Sequence, residues 1–154
     1  MIVITRTDDR ELLLSLRMEV LSAVFGISEE DVALFESLRC ETVAYYRSEL
    51  GRSHFAFICT DTDAGTLCGS GAVCLQREMP SPDDISGLSA YIMNVYVRPQ
   101  YRGRGLGRRI VETLVTFAQG KGCGKIYLET TDMARGLYAG CGFRELKDMM
   151  IYRQ

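Results

Sequence analysis

Residues 91–109 read as a strand that breaks into a glycine-rich turn and restarts as a helix. Tyr91, Ile92, Met93, Val95 and Val97 form an apolar run, and Pro99, which cannot donate to a sheet ladder, marks its end. Leu106, Ile110, Leu114, Phe117 and Ala118 then recur at helical spacing. Between Arg98 and Arg109 lie five arginines, Gly103, Gly105 and Gly107, and no acid. Glycines let the chain turn tightly and let a bulky ligand approach the backbone. The new helix starts with unpartnered N–H groups and a partial positive charge. A phosphorylated ligand is the natural occupant of such a turn.

The rest of the chain can be read around this unit. Ile2 to Arg6 is a first strand, rich in β-branched residues. Thr7-Asp8-Asp9 caps a helix carrying Leu12, Leu13, Leu16, Val20 and Leu21, which breaks at Phe25-Gly26-Ile27. Ser28-Glu29-Glu30-Asp31 opens a second helix, with Ser28 at the N-cap, running to about Glu49. Strands over 54–60 and Thr66–Gln76 flank the turn Asp61-Thr62-Asp63-Ala64-Gly65 and form an antiparallel hairpin, in which Gly69 and Gly71 mark a bulge or a close neighbour. Residues 79–88 form a loop with a mobile tip. Ser89 to Val97 is a central strand, apolar on both faces. The helix after Gly105 stops at Gly120-Lys121-Gly122, and Lys125 to Thr130 is the next strand. Strand, helix, strand at this length implies a right-handed parallel crossover. A short helix over Ala134 to Ala139 and a last strand over 143–153 complete the expectation. The fold class is α/β: one domain over 1–154, a mixed, mostly antiparallel sheet, and helices on both faces.

Bulk properties narrow the function. A chain of 154 residues, 47% hydrophobic and 25% charged, is one globular domain. A net charge of −2 argues against general nucleic-acid binding, and the local cationic turn suits a compact anion better than a polymer. No run is long and apolar enough to span a bilayer, and residues 1–6 lack the apolar region of a signal peptide. Six cysteines without a Cys-x-x-Cys pair, and His54 as the one histidine, make a zinc site improbable. The cysteines are expected as reduced, mostly buried thiols in a cytoplasmic protein with no metal.

Read alone, the glycine turn is either a phosphate cradle or a tight connection with solvated arginines. It is not the dinucleotide Gly-x-Gly-x-x-Gly, because Gly107 comes one residue early, and no Gly-Lys-Ser/Thr follows. A second stretch, Gly136-Leu137-Tyr138-Ala139-Gly140-Cys141-Gly142-Phe143, shifts the balance toward the cradle. With Arg102-x-x-Gly105-x-Gly107 ahead of Leu137-Tyr138 and Gly142-Phe143, the chain resembles the GNAT acyltransferase superfamily, sharply over residues 89–145.

The resemblance implies an N-acetyltransferase using acetyl-coenzyme A and a small-molecule or peptide amine, with neither nucleic acid nor membrane as partner; a homodimer is compatible with it. The pyrophosphate would lie on the backbone of Arg102, Gly103, Arg104, Gly105, Leu106, Gly107 and Arg108, with Arg102, Arg104 and Arg108 adding charge. Pantetheine would pair with the main chain of Val95 and Val97, where strands 89–97 and 125–130 splay. A backbone N–H near Val95 would stabilise the oxyanion, and Tyr138 would protonate the departing thiolate. Thr131 stands where relatives often carry Asn, and Tyr91 where some carry a glutamate base. Glu129, Asp132 and Glu41 are then the base candidates, alongside a water relay. Residues 1–50 hold ten acids against five basic residues, which points to a cationic acceptor. A non-catalytic acyl-coenzyme A sensor is the alternative, and nucleotide binding through the turn a third reading.

Overall fold

The computed structural model describes residues 1–154 except Glu29. Asp9 accepts a hydrogen bond from the Leu12 N–H at 3.0 Å and so starts α1 (Arg10–Phe25), which Gly26 ends in the left-handed region at φ 65°. Helix α2 (Val32–Glu49) starts later than the sequence predicts. Its N-cap is Asp31, which accepts from the Leu34 N–H at 3.2 Å, while Ser28 closes a preceding turn through its carbonyl. A carboxylate is a charged cap facing the helix dipole, and it displaces Ser28 from that role. The expected first-turn acid Glu29 lies outside the described residues, and Glu30 precedes α2, its N–H donating to Ser28 Oγ at 3.2 Å.

Five strands follow the order β1 (Ile2–Thr7), β2 (His54–Asp61), β3 (Thr66–Arg77), β4 (Leu88–Val97) and β5 (Lys125–Leu128). All neighbours are antiparallel except β4 and β5, which run parallel across the crossover helix α3 (Leu106–Gly120). Alternation along the strands decides the layers. Phe55, Phe57, Cys59, Val73 and Ile92 face α3, where Ile110, Leu114 and Ala118 complete one core. Ala56 and Ala72, one residue out of step, face α1 and α2 and pack with Leu13, Tyr46 and Met93. The expected mixed sheet with helices on both faces is the observed architecture.

Gly71 lies where α3 crosses the sheet. A Cβ there would stand 2.7 Å from Ile110 Cγ2 and 2.9 Å from Leu114 Cδ1, both on fully buried side chains. Gly71→Ala should therefore destabilise the fold by about 1–3 kcal/mol, read as a lower urea midpoint. An unchanged midpoint would mean that α3 shifts freely on the sheet.

Three further boundaries differ from expectation. β5 stops at Leu128 rather than Thr130, because Thr131 caps a 3-10 turn over Asp132–Ala134 that leads into α4 (Arg135–Gly140). The loop 79–88 is tied down: the Glu78 N–H donates to the Gly87 carbonyl at 2.8 Å, and Asp84 is buried. The strand expected over 143–153 does not form. Leu146, Met149, Met150, Ile151 and Tyr152 are exposed and follow no two-residue alternation, and Arg135 on α4 holds Glu145 at 2.9 Å.

Candidate active site

The site is organised by a bulge in β4. Met93 pairs with Ala72 and Tyr96 with Ser70, so Asn94 and Val95 together oppose Gly71. Asn94 takes φ 57°, the one non-glycine residue with positive φ among those described. A bulge bends its strand and increases its twist. Pairing with β5 stops just before it, at Ile92 opposite Leu128. β5 ends there, while β4 runs on to Val97, so Val95 and Val97 lie beyond the last residue paired with β5.

Beyond β4 the chain passes through a 3-10 turn over Pro99–Tyr101 to the N-terminus of α3. Gly103 and Gly105 adopt φ 74° and 73°, conformations that side-chain-bearing residues rarely take. Gly105 is the N-cap and supplies no side-chain acceptor, and the first turn holds no acid. The N–H groups of Leu106, Gly107 and Arg108 therefore start the helix without a side-chain cap. Gly107 has a second task. A Cβ on it would sit 3.2 Å from Leu137 Cδ2, so its absence lets α4 settle on α3 and brings Tyr138 alongside. Tyr138 is half-buried, with its ring edge-on to Phe143 at 6.0 Å between centroids. Burial, and then the neighbouring Cys141, push its phenol above the ordinary tyrosine value, so it holds its proton at neutral pH.

The arginines divide into two groups. Arg98 binds both carboxylate oxygens of Glu19 at 2.9 and 2.8 Å and reaches the Leu67 carbonyl, tying α1 to the end of β4. Arg109 donates to the Ile2 carbonyl at 3.1 Å. These two serve the fold. Arg102, Arg104 and Arg108 are exposed around the turn, resting on the Val97 carbonyl, the Gln100 carbonyl and Glu112. Thr131, also exposed, accepts from the Ala134 N–H at 3.3 Å and acts as a local cap.

On the α1–α2 face a cavity of about 230 Å³ abuts the bulge, lined by Arg17, Glu41, Tyr45, His54, Met93 and Asn94 among others. Sequence reasoning assigned His54 no role. It is buried, with Nδ1 3.1 Å from Tyr45 Oη and 3.2 Å from Cys74 Sγ. Burial, and then the charge of Arg17, push its imidazole down to about 4, so it is neutral at pH 7. A larger hollow of about 600 Å³ lies between Ile4, Phe57 and the outer side of α3, and none of the sequence-predicted site residues lines it.

Among the described residues, most acids of the first fifty serve the fold. Asp9 and Asp31 cap helices, Asp8, Glu19 and Glu36 pair with arginines, and Glu49 binds Ser53. Glu41 is the one carboxylate on the cavity wall, and it faces the same space as Arg17. The argument for a cationic acceptor therefore loses its footing. Of the other base candidates, Asp132 is engaged by Arg135, and Glu129 is exposed beside Tyr91, whose phenol burial and that carboxylate push up to about 12. Three of the cysteines, Cys59, Cys68 and Cys74, are buried free thiols, whereas Cys40 is exposed. Among the described residues no three His, Cys, Asp or Glu side chains converge as a metal site, and no helix is long and apolar enough to cross a membrane.

Comparison with known proteins agrees with this geometry. The model of the acetyltransferase (GNAT) family matches residues 21–143. A glucosamine 6-phosphate N-acetyltransferase 1 of Oryza sativa is 38% identical over 96 residues, covering 62% of this chain and 56% of its own length. The N-alpha-acetyltransferase RimI of Mycobacterium tuberculosis is 33% identical over 107 residues, 67% of this chain and 61% of its own. This chain thus spans little more than half the length of these relatives. A predicted acetyltransferase of Clostridium acetobutylicum, solved with acetyl-CoA, superposes with TM-score 0.85 at 22% identity, over 99% of this chain and 96% of that one. With the family model matched across most of its length, the chain belongs to the GNAT acetyltransferase family.

Proposed function

We propose that the protein transfers an acetyl group from acetyl-coenzyme A to the primary amine of a small molecule. One observation carries this reading: α3 starts after β4 without a side-chain cap, and its Gly107 packs against Leu137 of α4, next in the chain to Tyr138. The residues present fit the cosubstrate. The N–H groups from Arg102 to Arg108 would receive the pyrophosphate, with Arg102, Arg104 and Arg108 around it. Val95 and Val97 offer main chain to pantetheine at the fork, and acetyl-coenzyme A, when bound, supplies the acetyl thioester. Tyr138 holds the proton that the thiol side takes as the C–S bond breaks, and the acceptor nitrogen gives up one as the C–N bond forms. The backbone N–H of Val95 would stabilise the charge that the carbonyl oxygen gains.

The relative in rice is named for glucosamine 6-phosphate, which makes small amino sugars the first acceptors to try. Free thiol released from acetyl-coenzyme A is followed against amino sugars, amino acids, polyamines, aminoglycosides and peptides. The expected outcome is release that depends on at least one amine. Acetyl-coenzyme A binding without turnover across the panel would instead establish the sensor reading. Tyr138 favours the enzyme, because a sensor has no use for a proton donor at the fork.

A further inference from the structure

Arg17 is the cation that the fold leaves without a counter-charge on the acceptor side. Its half-buried side chain lines the cavity beside the β4 bulge, and Nη1 donates to Asn94 Oδ1 at 3.0 Å. That partner is neutral. Among the described residues no carboxylate lies within ion-pair distance of Arg17, whereas Arg6, Arg39, Arg98, Arg108 and Arg135 each have one. Glu41, the carboxylate on the same wall, is exposed and too far away to pair.

The charge is felt inside the cavity. It helps hold His54 neutral, and it opposes the upward push that burial gives Tyr46. A guanidinium has five N–H donors in a fixed fork. One of Arg17's donors is spent on Asn94, which fixes its head next to the residue that bends β4. The group best matched to the remaining donors is a two-oxygen anion, bound bidentately and partly out of water. A cavity of about 230 Å³ equals roughly seven or eight waters at about 30 Å³ each, room for a small polar molecule.

We propose that the acceptor is a small amine that also carries an oxyanion, a carboxylate or a phosphate, and that Arg17 selects for it. The proposal rests on the acetyl-transfer reading and names its substrate class. Arg17 binds the anion on the α1 side of the bulge, and the same molecule's amine then lies toward the fork of β4 and β5. His54 and Tyr45 line the same cavity, with the Tyr45 hydroxyl held in place by its hydrogen bond to the imidazole.

The test uses acceptor pairs that differ in the anion alone: glucosamine 6-phosphate against glucosamine, and amino acids against their amides. For the wild type, kcat/KM for the anionic member of one pair should exceed that for its neutral twin by about ten- to a hundredfold. Which pair shows the preference distinguishes phosphate from carboxylate. In Arg17→Gln the ratio should fall to about one, through the acceptor KM, while the acetyl-coenzyme A KM holds; Arg17→Lys should keep part of the preference. Circular dichroism and acetyl-coenzyme A affinity check that the variants are folded. Equal turnover of both members by the wild type, or a preference that survives Arg17→Gln, overturns the assignment while leaving acetyl transfer intact. Absence of turnover with every amine overturns both.

Discussion

Gly105→Asp will remove acetyl-coenzyme A binding, raising the dissociation constant by more than about a hundredfold in calorimetry, as expected when a charge-assisted contact set is replaced by like-charge repulsion. The reasons are local. Gly105 sits at φ 73° as the N-cap of α3, and a Cβ there meets nothing within 4 Å. The fold therefore has room for the side chain, and the cost is conformational, on the order of 1–2 kcal/mol for a left-handed non-glycine residue. The carboxylate brings negative charge to the end of a helix that otherwise offers N–H groups and positive potential. A diphosphate placed there would face it directly. Gly105→Ala separates the two effects, since it keeps the strain and adds no charge. It should stay within about tenfold of wild type, a difference of about 1.4 kcal/mol. If Gly105→Asp, shown to be folded, binds as tightly as wild type, the diphosphate does not lie at the start of α3.

The features legible from sequence are those written in local periodicity. Residues 89–119 change from a two-residue to a helical repeat across glycines, and the strand, the turn and α3 fall where that change predicts. Gly71 is likewise legible as a site of close approach, although not which neighbour approaches. Gly71 also signals the irregularity of this strand pair, but the bulged residues, Asn94 and Val95, lie on the partner strand with no glycine or proline among them. The bulge arises from the register of β4 against β3, a property of two strands together. The cavity beside the bulge is illegible in the sequence for a similar reason. Arg17, Tyr45, His54 and Asn94 come from four elements, and no spacing in the chain joins them. Counting acids misled because a carboxylate's use depends on its partner: helix caps and arginine pairs absorb most of the excess that the sequence displays. The strand expected over 143–153 shows the same limit. Apolar content makes a strand only where a neighbouring edge accepts it, and 143–154 follow a helix that keeps Glu145 paired to Arg135 instead.

Tyr138→Phe should lower kcat by about a hundredfold or more, the usual yield of a positioned proton donor, with acetyl-coenzyme A affinity unchanged. The substitution removes one oxygen and keeps the ring that packs edge-on to Phe143, so α4 stays seated on α3 through Leu137 and Gly107. Burial raises the phenol above its ordinary value of 10.0. The donor is therefore protonated throughout the neutral range, and in the wild type kcat should fall only as pH climbs past that raised value. An alkaline limb that belongs to Tyr138 must vanish in the Phe variant, leaving a lower, flatter profile. A KM effect without a kcat effect would instead make Tyr138 a packing residue of α4. Full kcat in the variant would mean that the thiolate leaves unprotonated or takes its proton from water, and the fork of β4 and β5 would then contribute to catalysis through its backbone alone.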